Sequence, residues 1–77
     1  MDHDQATDAV SAGTLIEAVL TPADDANGWI MLLVRSDGEQ LLFTDSGGTE
    51  KVYHDLDQAT VAARELGLTQ IRVEERF

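Results

Sequence analysis

An Asp-Gly pair at positions 37 and 38, between two apolar runs, is the feature that most constrains the fold of this chain. The runs cover 29–36 and 39–45 and are rich in aliphatic and aromatic residues, which favour β-strands. A two-residue Asp-Gly loop is typical of a type I′ turn, whose twist matches that of the flanking strands. The pattern predicts an antiparallel hairpin in which Val34 opposes Leu41.

That register gives the hairpin two apolar faces, because side chains alternate along a strand and opposed residues share a face. One predicted face holds Ile30, Leu32, Val34, Leu41 and Phe43, and the other holds Trp29, Met31, Leu33 and Leu42. We expect a helix to cover the first face. The second face is predicted either to be covered by another part of the chain or to serve as an apolar anchor or dimer face.

One helix is clearly signalled near the end of the chain. Asp55 stands in an N-cap position with Gln58 three residues later, and Gly67 is placed to end the helix in a left-handed conformation. The predicted apolar stripe of this helix consists of Leu56, Ala59, Ala63 and Leu66. Its small alanines favour close packing of the helix on a sheet.

The remaining segments complete an α+β pattern. A strand is predicted over 14–20, where a helix is the competing interpretation, and further strands over 50–53 and 69–75. Residues 1–13 are polar and acidic and are predicted to form a mobile tail, with a short helix over 4–12 as the alternative, which would have little apolar face to dock. We expect a single domain over 14–77, with three to five strands in a mostly antiparallel sheet, one helix packed on one face, and the order β-β-β-(β)-α-β.

The composition narrows the class of protein. The chain has 77 residues, enough for one domain, and no cysteine, which excludes disulfides and thiolate chemistry. The longest apolar run, 29–34, is too short to cross a membrane. Secreted domains of this size usually depend on disulfides, so we expect a cytoplasmic protein.

Acidity is the most unusual property of the composition. Fifteen Asp and Glu residues against five Lys and Arg residues give a formal net charge of −10. Nucleic acids and anionic membranes attract the opposite sign, so we expect no direct binding to either. The expected partner is a basic nucleic-acid-binding protein or complex. Acidity that serves only solubility is the alternative interpretation.

Most of the carboxylates fall in predicted loops or at the ends of predicted elements, where they project without disturbing a core. The candidate partner-binding residues are Asp24, Asp25, Asp37, Glu39, Asp45 and Glu50. Carboxylates distributed over a surface imitate the phosphates of a nucleic acid. Trp29 is the predicted apolar anchor that slows dissociation.

Motifs for catalysis or metal binding are incomplete. Residues 45–50 lack the ligand spacing of a calcium loop. Lys51, which follows a Gly-Gly pair, precedes strand-like residues and not the helix that a P-loop requires. No cleft with paired catalytic carboxylates is indicated. We therefore expect a non-enzymatic protein that uses no cofactor and no metal.

Three stretches carry a resemblance to known proteins: WIMLLVR at 29–35, VYHDLDQA at 52–59 and ARELG at 63–67. They resemble small proteins encoded on plasmids and other mobile elements, some of them partition-associated. This resemblance implies an accessory role without catalytic residues, and dimerisation through the second sheet face is the mechanism expected for it. In size and acidity the chain is also similar to anti-CRISPR proteins, which implies an inhibitor that occludes a nucleic-acid-binding surface.

Overall fold

A computed structural model describes residues 1–23 and 28–75 of the chain. Its elements are α1 (His3–Ser11), β1 (Leu15–Pro22), β2 (Trp29–Arg35), β3 (Gln40–Leu42), α2 (Leu56–Glu65) and β4 (Ile71–Val73). The strands form one sheet in the order β3-β2-β1-β4, in which β1 and β4 are parallel and the other pairs antiparallel. The predicted α+β class is confirmed, with an additional helix and one parallel strand pair.

The hairpin between β2 and β3 forms at the predicted place, but its loop has three residues and not two. The N–H of Arg35 donates to the carbonyl of Glu39 (2.7 Å), and the N–H of Gly38 donates to the carbonyl of Arg35 (2.9 Å). Gly38 has a φ of +94°, as expected for the left-handed residue that follows a type I turn in such a loop. The strand pairing is therefore shifted by one residue from the predicted register.

This shift moves every side chain of β3 to the other face of the sheet. Leu33 opposes Leu41, and the N–H of Phe43 donates to the carbonyl of Met31 (2.9 Å). The prediction that a helix covers the first hairpin face is wrong, because the helices lie on the face of Met31 and Leu33. The residues of the opposite face that were expected beneath the helix are only half-buried: Ile30, Leu32 and Val34.

Both helices and one face of the sheet share a single core. Its principal buried side chains are Ala6, Leu15, Ala18, Leu20, Met31, Leu33, Phe43, Ala59, Ala63, Leu66 and Leu68. The predicted stripe of α2 is confirmed, since three of its four residues are buried and Leu56 packs against the core. Alanine at the contact positions lets the α2 backbone lie close to the strands.

Residues 3–11 form α1, which corrects the prediction of a mobile tail. Asp2 and Gln5 make a reciprocal capping box: Oδ1 of Asp2 accepts from the N–H of Gln5 (2.9 Å), and Oε1 of Gln5 accepts from the N–H of Asp2 (3.0 Å). Ala6 is fully buried and Val10 packs against the core. Capping and a narrow apolar face are thus enough to dock this polar segment.

The caps of α2 lie where the sequence signals place them, but the N-cap bonds Asp57 and not Gln58, so the capping box that Gln58 indicated does not form. Oδ1 of Asp55 accepts from the N–H of Asp57 (2.8 Å), and Gly67, with a φ of +98°, stands directly after the C-cap. The predicted strand over 50–53 contributes two isolated bridges, Trp29 with Tyr53 and Thr44 with Glu50. Neither helix of the described segments is long and apolar enough to cross a membrane.

Candidate functional site: a groove beside helix α2

A groove of about 530 Å³ opens between α2 and the chain that follows β3, and we call it the α2 groove. Pockets of this size hold small ligands or a few side chains of a partner. The residues that line it are His3, Phe43, Lys51, Tyr53, Asp57, Gln58, Val61, Ala62 and Glu65. The lining combines aromatic and aliphatic side chains with charged ones, as in sites that recognise a protein segment.

Two aromatic residues line the groove, and the half-buried Tyr53 is the one with surface accessible to a ligand. Phe43 is buried, and Nζ of Lys51 lies 5.4 Å from the centroid of its ring, within cation–π range. Tyr53 is positioned by the sheet, because its N–H donates to the carbonyl of Trp29 (2.8 Å) and its carbonyl accepts from the N–H of Trp29 (2.7 Å). The aromatic surface is therefore held by backbone pairing.

The α2 wall of the groove carries a carboxylate, an apolar side chain and a second carboxylate. Asp57, Val61 and Glu65 follow one another at intervals of four residues and so lie on one side of the helix. The rise of an α-helix places Asp57 and Glu65 about 12 Å apart along its axis. Val61 between them is 53% exposed, so an apolar side chain is exposed to solvent between two negative charges.

The phenol of Tyr53 lies in a partly buried and negative environment. Burial raises the pKa of Tyr53 above its ordinary value of 10.0, and the negative charge of Glu65 raises this pKa further. Both causes favour the protonated, neutral phenol. A positive charge beside Glu65 would offset the second cause.

A smaller cleft of about 250 Å³ adjoins the α2 groove, and we call it the Asp45 cleft. His3 and Lys51 line both depressions. The other residues of the cleft are Asp2, Asp4, Thr44, Asp45 and Ser46. Three carboxylates from two distant parts of the chain therefore surround one depression.

Backbone hydrogen bonds of the first residue bring these carboxylates together. The amino group of Met1 donates to the carbonyl of Leu42 (3.1 Å), and the carbonyl of Met1 accepts from the N–H of Thr44 (2.8 Å). The start of α1 is thereby tied to the end of β3. Asp2 and Asp4 are consequently held beside the turn that follows β3.

The four predicted acidic residues that the structure describes do not form one continuous surface. Asp24 and Asp25 lie outside the described residues. Asp37 and Glu39 stand at the tip of the hairpin, where Arg35 contacts both of them, at 3.4 Å and 3.7 Å respectively. Their negative charge is partly neutralised by this arginine.

Asp45 and Glu50 lie at the other end of β3. Oδ1 of Asp45 accepts from the N–H groups of Gly47 (2.9 Å) and Thr49 (3.0 Å), which organises the turn after the strand. Asp45 follows Glu39 by six positions, or about 20 Å of extended chain. Of the four described candidates, Asp45 alone lines either of the two depressions.

The predicted anchor or dimer face does not form a surface either. Met31 and Leu33 are completely buried in the core, so the chain itself covers them, and no partner can reach them. Trp29 is partly buried and packs against the core, whereas Leu42 lies on the opposite face and opposes Leu32. The one-residue shift in register explains why Leu42 lies on the opposite face of the sheet from Met31 and Leu33.

Sequence reasoning missed most residues of the α2 groove. The spacing of Asp57, Val61 and Glu65 is a readable signal, since it places all three on one side of the predicted helix. No local signal connects Asp2 with Asp45, which are 43 positions apart in the sequence. Asp2 and Asp45 line the same cleft only because α1 docks beside the end of β3.

No group of three or more His, Asp or Glu side chains within 1–23 and 28–75 is arranged to hold a metal ion. The chain matches no family model, and no curated protein or solved structure is significantly similar to it. Its function is therefore inferred from the shape and charge of the α2 groove and the Asp45 cleft.

Proposed function

We propose that this protein is a non-enzymatic acidic inhibitor, which occupies a basic nucleic-acid-binding surface of a partner protein. The observation that carries the proposal is the concentration of carboxylates around two adjoining depressions. These carboxylates belong to Asp2, Asp4, Asp45, Asp57 and Glu65. Lys51 is the one Lys or Arg side chain among the described residues that line the two depressions.

Electrostatics gives the physical basis for such binding. A surface that holds nucleic acid carries Arg and Lys side chains that neutralise phosphates, and carboxylates compete for the same groups. The net charge of −10 steers the protein toward that surface. The apolar surface of the α2 groove then adds contacts that a phosphate backbone does not offer. Occupation of the basic surface excludes nucleic acid from it.

A displacement assay tests the proposal. The probe is a fluorescent DNA duplex bound to the heparin-retained basic proteins of a host lysate. We expect the protein to release the duplex at about 50 mM salt, and less of it at about 200 mM, because salt screens the contacts. The double variant Asp57→Asn/Glu65→Gln is expected to release much less.

The matched control is the double variant Asp37→Asn/Glu39→Gln. It removes the same two charges, but from the hairpin tip at the other end of β3, where Arg35 already pairs with them. We expect it to release the duplex as the unmodified chain does. If both variants lose the same amount of duplex release, net charge alone explains the effect. If the unmodified chain releases no duplex at any salt concentration, the proposal is refuted.

A further inference from the structure

We infer that the α2 groove binds a basic segment of the partner in which one apolar side chain stands between two Arg or Lys side chains. This inference rests on the proposed function and specifies the segment that the partner presents. It follows from the arrangement of Asp57, Val61 and Glu65 along one wall of the groove. A uniformly basic surface would use the two carboxylates and leave the apolar position between them unmatched.

The spacing of the charged side chains on the α2 wall defines the spacing of the cationic side chains in a matching ligand. Asp57 and Glu65 are about 12 Å apart along the helix axis. In an extended chain, side chains four residues apart point to the same side and are separated by about 13 Å. The residue midway between them also points to that side. The pattern Arg-x-apolar-x-Arg, in extended conformation, therefore matches the wall position by position.

The apolar position has a defined receptor. Val61 is 53% exposed and lines the groove together with Ala62 and the half-buried Tyr53. Ile16 and Val73 are the other large apolar side chains of the described chain that are exposed, and neither of them lines the groove. An apolar side chain inserted beside Val61 removes exposed apolar surface from water, and this contribution does not weaken when salt is added.

Lys51 makes the two sides of the groove differ in charge. Its ammonium group lies over the ring of Phe43 and lines the groove together with the two carboxylates of α2. It repels a cation near Phe43, whereas Asp57 and Glu65 attract one on the α2 wall. This asymmetry favours segments whose cations align with the helix. A second copy of this chain is disfavoured as the occupant, because both copies carry a net charge of −10.

Short synthetic peptides test the inference by calorimetric titration of the full chain. The probe is the capped peptide Gly-Arg-Ala-Leu-Ala-Arg-Gly. One control replaces Leu by Ala, a second replaces both Arg by Gln, and a third places the two Arg side by side with unchanged composition. We expect each control to bind about tenfold more weakly than the probe, or worse. Equal binding of the rearranged peptide would overturn the spacing argument.

Variants of the chain locate the contact. Val61→Ser is expected to weaken the Leu peptide about tenfold and to leave the Ala peptide unchanged, because it removes only the apolar contact. Ile16→Ser is the control, since this residue is also exposed but lies outside the groove. If Val61→Ser leaves the Leu peptide unaffected, the inference is wrong.

Tyr53 supplies a second readout. A bound peptide buries the phenol further, which raises its pKa, whereas a cation beside Glu65 lowers it. At saturation, the probe should therefore give a lower pKa of Tyr53 than the peptide in which Gln replaces both Arg, as followed by tyrosinate absorbance. Equal midpoints with these two peptides would contradict the placement of the cation. Self-association that Val61→Ser abolishes would assign the groove to a second copy and also overturn the inference.

The two proposals fail in distinguishable ways. Equal binding of all peptides, together with release of the DNA duplex, would leave the proposed function intact and remove the specific segment. If the peptides all bind equally and no duplex is released, both proposals are refuted. Discrimination among the peptides without release of the duplex would leave a segment-binding groove and contradict occlusion of a nucleic-acid-binding surface.

Discussion

Tyr53 connects the sheet with the α2 groove. Its backbone pairs with Trp29 in both directions, and its phenol faces the negative charge of Glu65. The phenol is a suitable reporter because the chain contains one tyrosine, so the tyrosinate absorbance follows this residue alone. The state of the groove is thus readable from a single titration.

We expect the tyrosinate titration of the native chain to have its midpoint above 10.0, the ordinary pKa of tyrosine. Glu65→Gln should lower the midpoint without restoring the ordinary value, because it removes the negative charge and leaves the burial. A native midpoint at or below the ordinary value would contradict the described environment of Tyr53.

The same shift predicts a loss of stability in alkali. The pKa of Tyr53 is higher in the folded chain than in the unfolded chain. Its contribution to the free energy of unfolding is therefore complete below the unfolded pKa and is lost as the pH rises through the folded pKa. Urea unfolding across this range should show a smaller decline for Tyr53→Phe than for the unmodified chain.

Thr21 offers a second test at the scale of one residue. Its side chain is 2% exposed, and its Oγ1 has no hydrogen-bond partner among the described residues. Replacing an unsatisfied buried hydroxyl by a methyl group of similar shape removes a desolvation penalty. Thr21→Val is therefore expected to raise the free energy of unfolding by about 1 kcal/mol, as measured by urea unfolding.

Thr60→Val is the control for this experiment. Oγ1 of Thr60 donates to the carbonyl of Leu56 (2.9 Å), so the substitution removes a hydrogen bond that is made. No stabilisation is expected from it. Equal stabilisation in both variants would point to the added methyl group as the cause and would refute the argument from the unsatisfied hydroxyl.

At the scale of the element, the hairpin shows where local signals become ambiguous. An Asp-Gly pair suits a two-residue loop and a three-residue loop alike, because glycine adopts a positive φ in either. The two loops give strand registers that differ by one residue. The register decides whether Phe43 lies on the same face of the sheet as Met31 and Leu33. Burial of Phe43 beside Met31 and Leu33 accompanies the three-residue loop.

The hairpin loop predicts the effect of Gly38→Ala. The φ of +94° is unfavourable for a residue with a Cβ atom, so the substitution should lower the free energy of unfolding by about 1 kcal/mol. Gly47→Ala is the matched control, because Gly47 is a loop glycine without a positive φ and an added Cβ would make an ordinary contact. Equal losses would contradict the positive φ of Gly38.

The second element-scale lesson concerns α1. The composition of residues 1–13 shows little apolar surface, and that observation is correct, yet Ala6 is buried and Met1, Ala9 and Val10 pack against the core. The contact is effective because Asp2 and Gln5 satisfy backbone groups at the helix start. Average polarity of a segment is therefore a weaker guide than the position of its few apolar residues.

At the scale of the whole molecule, the decisive question is which sheet face is inside. Met31 and Leu33 are 0% exposed, so their function is to stabilise the fold. Leu33→Ala is expected to lower the free energy of unfolding by about 2–5 kcal/mol, through lost burial and the cavity left behind. Urea unfolding at two protein concentrations checks this, and we expect the same loss at both.

Leu42→Ala is the control for that experiment, because Leu42 is half-buried on the opposite face of the sheet. We expect a smaller loss from it. If the free energy of unfolding lost in Leu33→Ala depends on protein concentration, Leu33 contributes to association between chains. That result would support the dimer face predicted from the sequence.

The site is a property of the whole molecule more than of any motif. Asp57, Val61 and Glu65 come from α2, Lys51 and Tyr53 from the chain before it, and His3 from α1. The sequence alone indicated an acidic protein without catalytic motifs, but it assigned importance to six carboxylates, and the four that the structure describes lie at opposite ends of β3. Charge composition does not report how charges are distributed in space.

The sequence by itself determined the features whose causes are local. These are the α+β class, the position of the hairpin, and α2 with its cap at Asp55 and its end at Gly67. Only the tertiary structure decided the docking of α1, the buried face of the hairpin and the meeting of Asp2 with Asp45. The physical reason is that each of these depends on contacts between residues far apart in the chain.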